Sequence, residues 1–132
     1  MAANPYHTVR NETATPLDLW DRGYRRCVSL LQRSKLLMES ETPEARIEKA
    51  QLLHDVFAIV QFWSAALPSD GSPADEQQVK ATSSLASRLR PAYDFILHRI
   101  VSANANNSPK DVSESLIMLQ HLYSVLHKKP GS

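Results

Sequence analysis

Apolar residues recur at helical spacing in four stretches, and no stretch of useful length alternates as a strand does. The first runs from about Pro16 to Ser40. Its seam is Leu17, Trp20, Tyr24, Cys27, Leu31 and Met38. The second runs from about Pro43 to Ala66 and carries two adjacent stripes: Ile47, Ala50, Leu53, Phe57 and Val60, then Leu52, Val56, Ile59, Trp63 and Ala66. Phe62 adds apolar surface on a third side. A helix this apolar around its C-terminal half is either deeply buried or faces a partner. The third stretch starts near Pro73, is polar through Ser87, and then places Tyr93, Ile96, Ile100 and Ala103 on one stripe, which Leu85 and Leu89 extend. Leu97 and Val101 widen it, so this helix is expected to meet more than one neighbour and to stand at the centre. The fourth runs from about Pro109 to Lys128, with Val112, Leu116, Leu119, Tyr123 and Leu126 as its seam.

The prolines mark where these helices begin. Thr15-Pro16-Leu17-Asp18, Ser72-Pro73-Ala74-Asp75 and Ser108-Pro109-Lys110-Asp111 share one pattern, and Thr42-Pro43-Glu44 is a close variant. A hydroxyl at the N-cap accepts a hydrogen bond from a free backbone N–H. Proline suits the first helical position because the N–H it lacks would be unpaired there anyway. An acidic residue in the first turn favours the helix dipole and can close a capping box. Asn104-Ala105-Asn106-Asn107 ends the third helix, Leu67-Pro68-Ser69-Asp70-Gly71 breaks the chain after the second, and Pro130-Gly131 ends the fourth. Pro91 lies inside a helical pattern and predicts a kink or a short extra helix.

Long helices, short loops and apolar seams predict an all-α fold, an antiparallel four-helix bundle. Residues 1–14 read as an N-terminal tail, in which Asn4-Pro5-Tyr6 and Val9 lie extended against the domain. Residues 15–129 read as a single bundle domain.

Composition narrows the function classes. The chain has 132 residues, 42% hydrophobic and 22% charged, enough for one domain with a real core. A net charge of +1 argues against a strong pull toward nucleic acid or acidic membranes. The basic residues Arg22, Arg25, Arg26 and Arg33 fall mostly off the first seam and read as a solvated face. A single cysteine, Cys27, makes no internal disulfide and fills no cysteine-rich zinc site. It lies on a seam and reads as a small core residue. The N-terminus has no signal-peptide pattern and no stretch is apolar enough to span a bilayer, so the cytosol is the expected compartment.

Catalytic and metal-binding patterns are missing. A di-iron bundle needs Glu-x-x-His on two helices. The residues three before His54, His98, His121 and His127 are Gln51, Phe95, Met118 and Ser124. There is no His-Glu-x-x-His, no His-x-x-Lys-Gly and no glycine-rich phosphate loop. Neither an enzymatic activity nor a cofactor is expected.

Several short motifs carry a resemblance. Asn4-Pro5-Tyr6, Thr13-Ala14-Thr15-Pro16 with Leu19 and Tyr24, Lys49-Ala50-Gln51, and Tyr93-Asp94 through Arg99 to Ala103-Asn104 occur in the order and setting of the flagellar secretion chaperone FliS family. The chain resembles that family over most of its length. It differs in having Thr15 where serine is usual, Tyr24-Arg25-Arg26 where aromatic-Asp-Gly is usual, and Tyr123 where tryptophan is common. The stretch from Gln51 to Tyr93 is longer than usual, with residues 68–84 resembling an insertion or an extra helical turn, and the chain is less acidic than the family often is.

The resemblance implies a cytosolic export chaperone. Such a chaperone binds the C-terminal helical segment of flagellin, prevents early polymerisation and assists delivery to the export apparatus. A disordered amphipathic client needs an apolar surface, and a bundle offers grooves read by anchors at helical spacing. The expected partner-binding residues lie on the second helix and the Tyr93 helix: Leu53, Phe57, Val60, Tyr93, Ile96 and Ile100. Tyr6 on the tail joins them as a placeholder in the empty groove. An export-gate component and a second copy of the chain are further candidate partners. The alternative is a self-associating helical adaptor that uses the same apolar excess as a dimer interface and has no flagellin client.

Overall fold

The computed structural model describes residues 15–68 and 76–128, with the backbone alone for residues 76–84. Among these residues four α-helices follow one another: α1 (Pro16–Leu37), α2 (Pro43–Ala65), α3 (Glu76–Asn106) and α4 (Pro109–Leu126). The tail with Tyr6, the Ser72-Pro73 start and the final Pro130-Gly131 lie outside the described residues.

The other three proline starts form as their chemistry dictates. Thr15 and Asp18 close a full capping box: Asp18 N–H donates to Thr15 Oγ1 at 3.0 Å and Thr15 N–H donates to Asp18 Oδ2 at 3.2 Å. Thr42 Oγ1 accepts from Ala45 N–H at 3.1 Å, and Ser108 Oγ accepts from Asp111 N–H at 3.2 Å. Each such cap contributes on the order of 1 kcal/mol. The helix ends fall two or three residues short of the sequence expectation for α1 and α4, because Met38 and His127 already serve as C-caps.

Between α3 and α4 only Asn107 and Ser108 intervene. Asn107 takes a left-handed conformation, φ 50°, and Ser108 N–H donates to Ala103 O at 3.1 Å. This is a Schellman turn, with asparagine in the position more often given to glycine. Ser108 then caps α4, so one residue ends one helix's closing motif and opens the next. The Asn107 side chain serves the same end of the bundle. Its amide donates to Met38 O at 3.3 Å, and its Oδ1 accepts from Lys49 Nζ at 3.0 Å. Lys49 Nζ also reaches Asn104 O at 3.3 Å. Lys49 is therefore buried, 5% exposed, and burial lowers its pKa.

The helices pack as a ring: α1 on α2, α2 on α3, α3 on α4, and α4 back on α1. Side-chain ladders fix every neighbour as antiparallel, including α2 and α3, where Lys49 meets Asn104 at one end and Trp63 meets Tyr93 at the other. Arg33 pairs with Glu48 and Arg26 with Asp55 between α1 and α2. Lys35 meets Ser113, Tyr24 meets Tyr123, and Asp21 meets His127 between α1 and α4. Arg99 and Ser102 of α3 reach back to Asp111 of α4. In a ring each helix has two neighbours, so the Tyr93 helix is one of four equal walls and not the central element expected from its broad stripe. α3 also runs without interruption through the exposed Pro91, and no separate short helix forms there.

The core is drawn from all four helices. Trp20, Cys27 and Leu31 meet Leu53, Val56, Val60 and Trp63, then Tyr93, Ile96 and Ile100, then Val112, Leu119 and Leu122. Each large side chain so enclosed contributes roughly 1.5–3 kcal/mol. In α2 the buried seam is Ala45, Lys49, Leu53, Val56, Val60 and Trp63, which threads between the two expected stripes and leaves Ile47 outside. In α4 Ser115 and Leu122 take the core positions, while Leu116 is half-buried and Tyr123 is exposed. The buried hydroxyls of Ser34 and Ser115 donate to the carbonyls of Leu30 and Asp111 one turn back, at 2.7 and 3.0 Å, so neither is left unpaired.

Candidate functional site

Two apolar grooves flank α2. The larger, of about 810 Å³, runs between the first half of α1 and the second half of α2. From α1 it takes Pro16, Leu17, Leu19, Trp20 and Gly23; from α2 and its exit, Ala58, Ile59, Phe62, Trp63, Ala66 and Leu67. Leu89 and Tyr93 of α3 and Leu126 of α4 complete the lining. The antiparallel pairing of α1 and α2 is what brings the start of one helix beside the end of the other.

The floor of this groove is aromatic. Trp63 stacks on Trp20 with centroids 4.7 Å apart and an interplanar angle of 23°, and Tyr93 lies 5.8 Å from Trp63. The indole N–H of Trp20 donates to Tyr93 Oη at 3.1 Å. That bond pairs two polar groups with each other inside an otherwise apolar lining. Burial pushes the Tyr93 hydroxyl above its ordinary pKa, and the bond from Trp20 opposes this. On the far side of Trp20, Tyr24 and Tyr123 continue the stack to His127, whose Nε2 sits 2.7 Å from Asp21 Oδ1.

The rim is apolar too. Phe62 is 72% exposed and Leu19 is 55% exposed. Single exposed apolar side chains are ordinary, but two large ones beside an apolar groove form the kind of contiguous surface that marks an interaction site. The groove's volume and its few, internally satisfied polar groups suit an apolar ligand surface.

The second groove, about 370 Å³, lies on the other side of α2. Ala50, Leu53, His54 and Phe57 face Ile100, Val101, Asn104 and Ala105 of α3. Together the grooves account for the apolar excess in the C-terminal half of α2: its core seam fills the bundle, and each shoulder lines a groove.

The residues expected from sequence divide among these places. Leu53, Phe57 and Ile100 come together in the smaller groove, and Tyr93 lies in the floor of the larger. Phe57 is half-buried, while Leu53 and Ile100 are almost wholly covered. Val60 and Ile96 are 0% exposed and line neither groove. Their place on stripes made them candidates, but both side chains are enclosed in the core. Tyr6 lies outside the described residues. Sequence reasoning missed the larger groove, with Leu19, Gly23, Ile59, Phe62 and Trp63. The signal available for it was Phe62, on the third side of an already apolar helix.

Cys27 plays no part in either groove. It is fully enclosed, and burial pushes its thiol up to about 12, so it is protonated and inert at neutral pH. No helix among the described residues is long and apolar enough to cross a membrane.

Comparison with known proteins gave no match to a curated protein and none to a solved structure. The family model described as flagellar protein FliS matches residues 1–127. A match over nearly the whole chain, on an antiparallel four-helix bundle with an apolar groove, shows that this chain belongs to the FliS family of flagellar export chaperones.

Proposed function

We propose that the chain binds the C-terminal helical segment of flagellin in the cytosol, keeps it from polymerising early and assists its delivery to the flagellar export apparatus. The observation that carries this reading is the larger groove: an open apolar trough with an aromatic floor and exposed Leu19 and Phe62 on its rim. An amphipathic client segment lays its apolar side chains, three or four residues apart, into such a trough and is ordered as it does so. The smaller groove with Leu53, Phe57 and Ile100 offers a second anchor on the opposite shoulder of α2. A client that follows both shoulders covers its adhesive face over a longer span than one groove allows.

The test is calorimetric titration of the full chain with the C-terminal segment of the host's flagellin. One-to-one binding with a negative heat-capacity change supports the reading, because that change reports burial of apolar surface. Loss of binding in Phe62→Asp with an unchanged circular dichroism spectrum assigns the contact to the larger groove. Absence of heat and of co-elution with the segment rejects the flagellin client. Light scattering in the same buffer then distinguishes a self-associating adaptor, which runs as a dimer.

A further inference from the structure

Gly23 stands in the middle of α1, where glycine is among the poorest helix formers. Its place is explained by what lies above it. A Cβ built there would sit 2.8 Å from Trp63 Cζ2, 3.3 Å from Trp63 Cε2 and 3.2 Å from Ile59 Cγ2. The first distance is below any real carbon contact, so one partner would have to move. The obstacle is no flexible chain end. It is an indole ring stacked on Trp20, whose own ring is tied to Tyr93 Oη. The inward side of Trp63 is therefore occupied by Trp20 and Tyr93. The space open to a displaced Trp63 is the groove itself.

We infer that Gly23 is a positioning residue for the client groove: bare backbone at this point lets the Trp63 ring seat against α1 and form the groove's floor instead of filling its volume. The inference rests on the proposed client reading and adds to it which residue keeps the site open. A methyl group at position 23 lifts Trp63 into the groove and takes room from the client's apolar side chains. Clashes and misfits on the scale of one methyl or methylene in an apolar pocket change affinity by about tenfold or more.

The test compares wild type, Gly23→Ala and the double variant Gly23→Ala/Trp63→Phe. Binding of the flagellin C-terminal segment is read by calorimetry and folding by thermal melting. The expected result is at least a tenfold loss of affinity in Gly23→Ala with the cooperative melt kept, and recovery of most of that loss when the smaller phenyl ring replaces the indole. A residue that merely stabilises α1 would not give rescue by a second, core-truncating change. Equal affinity of wild type and Gly23→Ala overturns the inference. A second measurement is independent of any client: ¹⁹F NMR of the chain labelled with 5-fluorotryptophan. The Trp63 signal is expected to shift in Gly23→Ala and gain solvent exposure, and an unmoved signal overturns the inference. If wild type fails to bind the segment while the ¹⁹F signal moves as expected, the flagellin reading fails and the seat for Trp63 stands.

Discussion

The indole N–H of Trp20 and the hydroxyl of Tyr93 meet at 3.1 Å and join α1 to α3, two helices that share no wall of the bundle. The bond crosses the diagonal of the ring, in the floor of the larger groove. It does two things at once. It satisfies the polar groups of the floor, and it holds Trp20 as the backing on which Trp63 stacks. Replacing Tyr93 with phenylalanine leaves a buried indole N–H without its partner, at a cost of about 1–3 kcal/mol. Urea unfolding of Trp20→Phe, Tyr93→Phe and the double variant is expected to show that the two losses do not add, since each single change already breaks the bond.

Phe62 and Ile96 separate binding from folding. Phe62 sits on the groove rim and is mostly exposed, so Phe62→Ser should change stability by no more than about 0.5 kcal/mol. Its loss should weaken client binding about tenfold, the scale of an aromatic anchor. Ile96 is fully enclosed, and Ile96→Ala is expected to cost roughly 2–5 kcal/mol through the cavity it leaves. Denaturant midpoints and titrations on the two variants check both halves.

Lys49 joins α2 to the closing turn of α3. Its ammonium is shared between Asn104 O and Asn107 Oδ1, and Asn107 in turn holds Met38 O. Lys49→Ala removes the donor and leaves two acceptors at a mostly covered site, so a loss of about 1–3 kcal/mol is expected. Amide hydrogen exchange should rise first at residues 104–108, with the end of the bundle that holds the larger groove unaffected.

Two carboxylates contribute to stability against acid. Asp111 is held below its ordinary pKa chiefly by the Ser102 hydroxyl, with Ser108 and Arg99 adding to the effect against burial. Asp18 is held low by the backbone N–H of Thr15 and then by its hydroxyl. For both, the folded chain binds the proton more weakly than the unfolded chain does. The stability they contribute is complete above the unfolded value of 3.8 and is lost as pH falls through the lowered folded values. Asp111→Asn should flatten the acid limb of stability against pH below 3.8, measured by denaturant unfolding at closely spaced pH values.

Cys27 should be silent in the native state. Its thiol lies in the core with a pKa of about 12, so a disulfide reagent at pH 8 is expected to react only on the timescale of unfolding. Fast labelling of the folded chain would show that this part of α1 opens.

The helix starts were legible because a cap is local chemistry. Thr15, Thr42 and Ser108 each announce a helix within four residues, and all three form as read. The inner face of α3 was legible as well: Tyr93, Ile96, Ile100 and Ala103 are all buried. The seam of α2 was not, because two adjacent apolar stripes and Phe62 on a third side leave its C-terminal half without one dominant apolar face for periodicity to choose. Lys49 was invisible as a core position, since hydropathy places a lysine outside, and only the approach of the α3 terminus gives its charge acceptors. The larger groove depends on Gly23 meeting Trp63 forty residues away, a pairing fixed by the antiparallel register of α1 on α2 and by nothing in the composition.

The measurement that bears most directly on the central claim is titration of the full chain and of Phe62→Asp with the C-terminal segment of the host's flagellin. The account predicts saturable one-to-one binding to the wild type, a negative heat-capacity change, and at least about tenfold weaker binding to a variant that melts at the same temperature. Binding of equal strength to both would contradict the groove assignment, and no binding to either would contradict the client itself.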